Sequence, residues 1–478
     1  MIGCVDMNKK GFTLIELLAI IVVIGLIAVI VTPIVLSAIE DSKKEIAVSS
    51  MNGFINSIEM ENVTETFSSD SNYIPDGYYY DEELKDLNIE YKGRTPDSGL
   101  IIIRDGVVHS GSTVCINGYK AVYDGKVVSS DGKCDGTEYV YESMIMLDVA
   151  RRYYTVSEIK QFVDILAVNP NSTLHLHLSD DQNVGIELAY LDQTVENAEY
   201  NDGVYTNPVT GRNFLSFAQV KEIMDYCEEN NVEFIPEIDI PAHMHGFFDL
   251  AIHKFGEDYV RAPYNWDDPS LSGIAPGSGD EAGNIDLMSP NAKTFIRNIY
   301  DEYTEFFKDC KYFHIGFDEY TYRPELKVPF INEMYEYLNE KGFIVRMWSD
   351  PIMKNNISEI NNNIEVIYWS YRNDDGYAGV DDLQKYGFDI LIGNPHYLFY
   401  VPSVLTVEES NFIYTLNNIK DNWTFEEWKY NADSDLDNRN NILGGVLSVW
   451  GEDSAGVSTD IIINQTRELY NMMYSKFK

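Results

Sequence analysis

The chain is 478 residues long, 45% hydrophobic and 13% aromatic, a composition that fits two or three folded domains better than one core. Its formal net charge of −42 excludes binding to nucleic acid or anionic lipid headgroups through bulk electrostatics. Thirty-four Tyr and six Trp suit a protein that handles sugars, whose flat C–H faces pack on aromatic rings, and they suit an aromatic core equally well.

In chain order, a short basic stretch comes first and an apolar run follows, with Glu16 as the only charge between Phe12 and Leu36. The run is long enough to span a bilayer as a helix. A carboxylate inside such a span is costly and calls for a function, and no small-residue cleavage site follows as in a signal peptide. "KKGFTLIELL" resembles the leader and first mature residues of type IV prepilins and pseudopilins. The resemblance implies cleavage by a prepilin peptidase between Gly11 and Phe12 and methylation of the new N-terminus. It also implies that Glu16 pairs with the N-terminus of a neighbouring pilin-like subunit. On this reading residues 1–11 are a leader and 12–62 a transmembrane and assembly helix. That helix would anchor the chain in the cell membrane with the remainder outside, or within a pilus.

From Glu40 to about Asn62 the pattern turns amphipathic, with Ile46, Phe54, Ile55 and Ile58 among polar residues, which predicts a helix continuing into an exposed stalk. Residues 63–140 read as short strands and turns, in "GLIIIRDG", "STVCINGYKAVYDGKVV" and "SSDGKC", and resemble the small β head of Gram-positive pilins. Cys115 and Cys134 lie in this segment and could close a disulfide in an oxidising compartment. Cys227 and Cys310 fall in predicted helices as buried thiols, Cys4 falls in the leader, and no spacing suits zinc.

From Glu142 the organisation becomes strand, loop, helix, repeated. The strand candidates are "SMIMLDVA", "TLHLHLSD", "VEFIPEIDI", "YFHIGFDE", "FIVRMWSD", "IEVIYWS", "FDILIGNP" and "GGVLSVWGE", with helical patterns at 157–168, 217–231, 292–309 and 330–342. Eight such units predict an α/β fold, a (β/α)8 TIM barrel over 141–478. The longest insertion, 246–289, follows the third strand and is expected to be a loop at the rim of the functional face.

That face lies at the C-terminal ends of the strands. Reading off the ends yields Asp148 and Arg151; His177, Asp180 and Asp181; Asp239 and His243; Asp318 and Glu319; Trp348; Trp369; Asn394 and Tyr397; Trp450 and Glu452. In "YFHIGFDEY" strand alternation would set His314, Gly316 and Asp318 on one face, with Glu319 at the frayed end. Taken singly, each residue has an ordinary structural explanation: an Asp caps a loop, a Trp fills a core, His175 and His177 are satisfied inside. Together they describe a pocket that grips a polar ring by its hydroxyls and its apolar faces.

The set resembles family 20 glycoside hydrolases, the β-N-acetylhexosaminidases, in "LDVARRY", "HLHLSDDQ", "IPEIDIPAHMHG", "HIGFDE" and "VWGED", which occur in the family's order. The resemblance implies hydrolysis in which the substrate's own acetamido oxygen attacks the anomeric carbon, so that no enzyme nucleophile is needed. It assigns Glu319 as acid/base and Asp318 as the carboxylate that orients the acetamido N–H. Arg151 and Glu452 would hold ring hydroxyls, and Trp348, Trp369 and Trp450 would wall the acetamido pocket. Tyr397, with Tyr400 as the alternative, would bond the acetamido carbonyl. Asp239, His243 and His177, with Asp180, would support Glu319. Three departures stand out: "DDQNVG" lacks the Trp and Arg usual after the Gln, Ala242 replaces a Gly, and Phe399 stands where a hydroxyl-binding Asp is often found. The expected function is a surface-displayed exo-β-N-acetylhexosaminidase acting on extracellular glycans with terminal N-acetylhexosamine, without cofactor or metal. The alternative is a non-catalytic glycan-binding minor pilin.

Overall fold

The computed structural model describes residues 40–63, most of 74–134, and 141–477 apart from 277–282, 370–375, 405–410 and 425–440. The chain divides into two compact units, Met1–Tyr139 and Val140–Lys478. The leader, Gly11, Phe12, Glu16 and the expected membrane span lie outside the described residues. No described helix is long and apolar enough to cross a membrane.

In the first unit residues 40–63 are helical, as the amphipathic pattern predicts, but they are not an exposed stalk. Ala47, Met51, Phe54, Ile55 and Ile58 are buried in one cluster with Ile101, Ile103, Val114, Ile116 and Ala121. A stripe that wide needs a partner, and the unit's own antiparallel six-stranded sheet supplies it. Residues of Thr113–Ile116 alternate between half-buried and buried, as a sheet covered on one face requires. Cys115 and Cys134 are joined in a disulfide with their Cα atoms 6.0 Å apart.

The second unit is a closed parallel barrel. Its strands are β1 (Glu142–Asp148), β2 (Ser172–His177), β3 (Val232–Glu237), β4 (Tyr312–His314), β5 (Ile344–Trp348), β6 (Glu365–Tyr368), β7 (Ile390–Ile392) and β8 (Ile442–Val449). Each pairs in parallel with the next, and β8 pairs with β1 to close the ring. All residues of β1 and of β2 are buried, which is why these strands read as nearly continuous apolar runs. Side chains alternate between two cores. Met144, Met146, Ile235, Ile367, Leu391 and Val446 fill the barrel, while Ile145, Leu147, Leu174 and Leu176 meet the surrounding helices. Capping boxes at Thr155 and Ser216 start the helices Val156–Leu166 and Phe217–Glu229 close to their predicted positions. Among the strand starts, the buried Arg346 makes paired hydrogen bonds to Glu142 at 2.8 and 2.7 Å and a third to Glu365 at 2.7 Å.

Two expectations are corrected. The insertion after β3 is more than a rim loop, because it folds into the helices His245–Phe255 and Glu257–Arg261 and the 3-10 turn Pro269–Leu271. Strand β4 stops at His314, so the alternation expected through Asp318 does not hold. Gly316, Phe317 and Glu319 all take left-handed backbone, with φ of 67°, 70° and 49°. Gly316 is required there, since a Cβ would stand 2.0 Å from Asp239 Oδ1 and 2.6 Å from Asp239 Cα.

Candidate active site

The polar residues at the strand ends converge. On the β1 side, Arg151 donates to Asp148 Oδ2 at 2.9 Å and lies 2.6 Å from Asp180 Oδ2, with its guanidinium 5.2 Å from the centre of the Trp450 ring. Asp148 also accepts the Gly451 N–H, tying the loop after β8 to that after β1. Although burial disfavours its charge, these carboxylates and the charge of Glu452 hold Arg151 firmly protonated. Glu452 itself is exposed. His177 joins this group through Nε2, 3.0 Å from Asp180 Oδ2, and sets its ring edge against Trp450.

The two adjacent carboxylates sit beyond β4 in unequal surroundings. The Asp318 side chain is 13% exposed and that of Glu319 is 62% exposed, and His243 Nε2 is 3.8 Å from the first and 3.6 Å from the second. His243 is itself held in left-handed backbone and directs Nδ1 at Asp181, 3.2 Å away. Burial pulls its pKa down, but the charge of Asp318 and the bond to Asp181 outweigh this and carry it up to about 10. Asp239 is fully buried and accepts the Phe317 N–H. Burial and then the charge of Asp318 push its carboxyl well above the usual range.

Beneath this layer Glu237 closes the centre of the barrel. Its carboxylate lies 2.9 Å from His175 Nε2, 2.8 Å from His177 Nδ1 and 3.2 Å from His314 Nδ1, and it accepts the Trp348 indole N–H at 2.7 Å. Burial opposes its charge, but the imidazoles, His177 foremost, hold it well below the ordinary value. His177 is correspondingly raised, whereas burial takes His175 down to about 4. Trp348 is therefore a floor, 1% exposed, rather than an open wall. Trp450 lies tilted against it, and Phe399 joins Trp450 edge-on and stacks on Trp369. The position where an Asp was expected is thus part of an aromatic wall. Of the two tyrosine candidates, Tyr400 is excluded from this face, because it is buried and its hydroxyl bonds Gln465 in the helix Thr459–Ser475; Tyr397 is half-buried.

His175, Glu237 and His314 bring one ligand atom each within 4.8 Å, as do His177, Asp180 and Asp239. Each set could hold a cation by spacing alone. The positive charge they need is nonetheless already supplied, by His177 on Glu237 and by Arg151 on Asp180.

Reading strand ends passed over Glu237, His314 and Asp350. The overlooked signal was an ionisable residue inside a strand buried on both faces, and an Asp two places after Trp348. Asp350 Oδ2 accepts the Glu319 N–H at 2.7 Å, while its Oδ1 is shut from solvent without a hydrogen-bond partner. Burial and then the charge of Asp318 push this carboxyl up to about 8. The native state therefore holds a proton that the unfolded chain releases, and the stability this group contributes is full below the ordinary carboxylate range and is lost as pH climbs from there to about 8. Asp350→Asn keeps an oxygen for the Glu319 N–H and mimics the protonated acid. It is expected to turn over normally at mildly acidic pH and to flatten the alkaline decline in kcat/KM. Asp350→Ala should lose about tenfold or more at every pH, which a pair of pH profiles would check.

Comparison with known proteins identifies the fold and the family. The model of the glycosyl hydrolase family 20 catalytic domain matches residues 139–324 and 321–462, and that of the prokaryotic N-terminal methylation motif matches 6–32. The crystal structure of dispersin B superposes with a TM-score of 0.64 and 32% identity, covering 70% of this chain and 99% of that one. The β-N-acetylhexosaminidase of Bacteroides fragilis shares the fold at a TM-score of 0.51 and 20% identity, over 73% of this chain and 67% of that one. A probable beta-hexosaminidase of Arthroderma benhamiae is 22% identical over 283 residues, 53% of this chain and 42% of that protein. The chain spans 42–44% of the length of such curated relatives. It belongs to glycosyl hydrolase family 20.

Proposed function

We propose that this family 20 chain is an exo-acting, retaining β-N-acetylhexosaminidase that removes terminal β-linked GlcNAc or GalNAc from glycans outside the cell. The observation that carries the reading is the unequal pair under one imidazole, with a largely enclosed Asp318 beside an exposed Glu319. An orienting carboxylate works best shielded from water, where its charge is least screened; a proton donor must reach out to the leaving oxygen.

In the first step the acetamido oxygen of the substrate attacks the anomeric carbon as Glu319 gives its proton to the departing glycosidic oxygen. Asp318 accepts the acetamido N–H and balances the positive oxazolinium that forms. In the second step Glu319 takes a proton from water as that water opens the oxazolinium at the same face, so the β configuration is retained. Asp239, carrying its raised proton, fixes the backbone at Phe317. His243, held cationic between Asp181 and the pair, balances their charge. Arg151, Glu452 and Tyr397 are the groups offered to sugar hydroxyls and the acetamido carbonyl, over the aromatic floor and wall. The methylation motif supports a type IV pilin-like N-terminus that is processed by a prepilin peptidase and holds the barrel at the cell surface or in a filament.

The test uses the full chain in detergent with aryl β-GlcNAc and β-GalNAc glycosides. Expected are aryl release, a first-formed β-anomer by NMR, and inhibition by a thiazoline mimic of the oxazolinium. An α-anomer first product, or equal turnover of a glucoside lacking the acetamido group, would overturn the mechanism.

A further inference from the structure

Trp266 is the most exposed large apolar side chain among the described residues, with 72% of its surface open. It stands in the insertion after β3, on a turn braced by hydrogen bonds. Asn265 N–H donates to Ser272 Oγ, Asn265 Oδ1 accepts the N–H groups of Asp267 and Asp268, and Asn291 Nδ2 donates to the carbonyls of Ser270 and Ser272. An indole held out on a rigid turn loses little conformational entropy when it takes a partner.

The turn is also tied to the segment that follows Glu319. The Tyr264 ring packs edge-on against Trp266 with centroids 4.8 Å apart, and the Arg323 guanidinium lies 5.4 Å from the Tyr264 centroid. Arg323 is bonded in turn to Asp286 at 2.6 and 3.2 Å, Tyr320 OH to the Ile285 carbonyl, and Thr321 N–H to Asn284. Arg323 stands four positions after Glu319, a reach of at most about 14 Å.

We propose that Trp266, backed by Tyr264, is a stacking platform for a pyranose ring on the leaving-group side of the site. The substrate is then a chain of sugars and not a lone terminal residue on an unrelated aglycone. On the proposed hydrolase reading an acid/base must face the glycosidic oxygen, so the sugars beyond the broken bond leave from Glu319, and Arg323 and Asp286 tie this turn to the segment that follows it. An exposed indole followed in the chain by the exposed Asp267 and Asp268 offers such a ring an apolar face with carboxylates near by in sequence.

The test compares Trp266→Ala, Trp266→Phe and the parent full chain on an aryl N-acetylglucosaminide and on β-linked N-acetylglucosamine oligomers. Oligomer binding is measured in parallel by calorimetry in a Glu319→Gln background. Trp266→Ala is expected to leave aryl turnover unchanged and to weaken oligomer kcat/KM and affinity about tenfold, through KM and not kcat, with Trp266→Phe restoring most of the loss. Oligomer kinetics and affinity unchanged by Trp266→Ala would overturn the platform. Absent aryl turnover in the parent would instead overturn the hydrolase reading, and the binding measurement would still decide the platform.

Discussion

Glu319→Gln is expected to lower kcat about 10²–10⁴-fold, the span that a positioned proton donor and acceptor supplies. The loss should be larger on an oligosaccharide than on an aryl glycoside, because a sugar alkoxide leaves poorly without a proton and a phenolate leaves readily. Gln can neither donate to the leaving oxygen nor take the proton of water, so both steps suffer, and the second limits even the aryl substrate. Asp318→Asn should cost about 10²–10³-fold by removing the charge opposite the oxazolinium. It carries a second signature. The charge of Asp318 is the principal attraction holding His243 protonated and the principal repulsion from another charge at Asp350. Its removal should therefore lower the pKa of both groups and shift the pH profile, whereas Glu319→Gln should not do so to the same extent. Wild-type turnover in either variant, measured at saturating substrate, would refute these roles.

Arg346→Met is expected to be the most damaging change away from the site, costing about 3–5 kcal/mol because it strands charges inside the barrel. Arg346 is fully buried, and its partners Glu142 and Glu365 start β1 and β6. Burial alone would raise the pKa of Glu142, and it is Arg346 that brings it below the ordinary carboxylate value. The parent chain therefore draws stability from Glu142 above that ordinary value and loses it as pH falls. In the variant the sign reverses: two carboxylates without a cation are worst when both are ionised, so stability should partly recover on acidification. Chemical denaturation at neutral and mildly acidic pH would show this, with kcat per folded molecule unchanged. A stability loss under about 1 kcal/mol would mean that the strand starts are held by packing alone.

The eight strands were legible because a strand buried on both faces is apolar at nearly every position, and because a polar residue closed each one. Those closing residues proved to be loop residues in most cases, since the strands end earlier than the motifs do. Asp180 stands in a small hairpin past β2, while Asp239, Asp318 and Glu319 stand past β3 and β4. Tyr397 and Tyr400 could not be separated by pattern, because the choice depends on which side of the backbone Gln465 lies. The 40–63 helix was legible, its covering sheet less so: short strands carry little information about which helix they will face.

The order of apolar strands and amphipathic helices determined the barrel by itself, because a parallel strand must bury both faces and only a ring of helices can cover the outer one. The order of five motifs determined the family, from which the proposed roles of the acidic pair follow. What tertiary structure alone decided is the electrostatics. Glu142 meets Arg346 across 204 residues, three histidines from two strands close on Glu237, and Asp350 reaches back to the backbone of Glu319. Proton affinity depends on burial and on the distance to neighbouring charges, and barrel closure sets both among residues far apart in the chain.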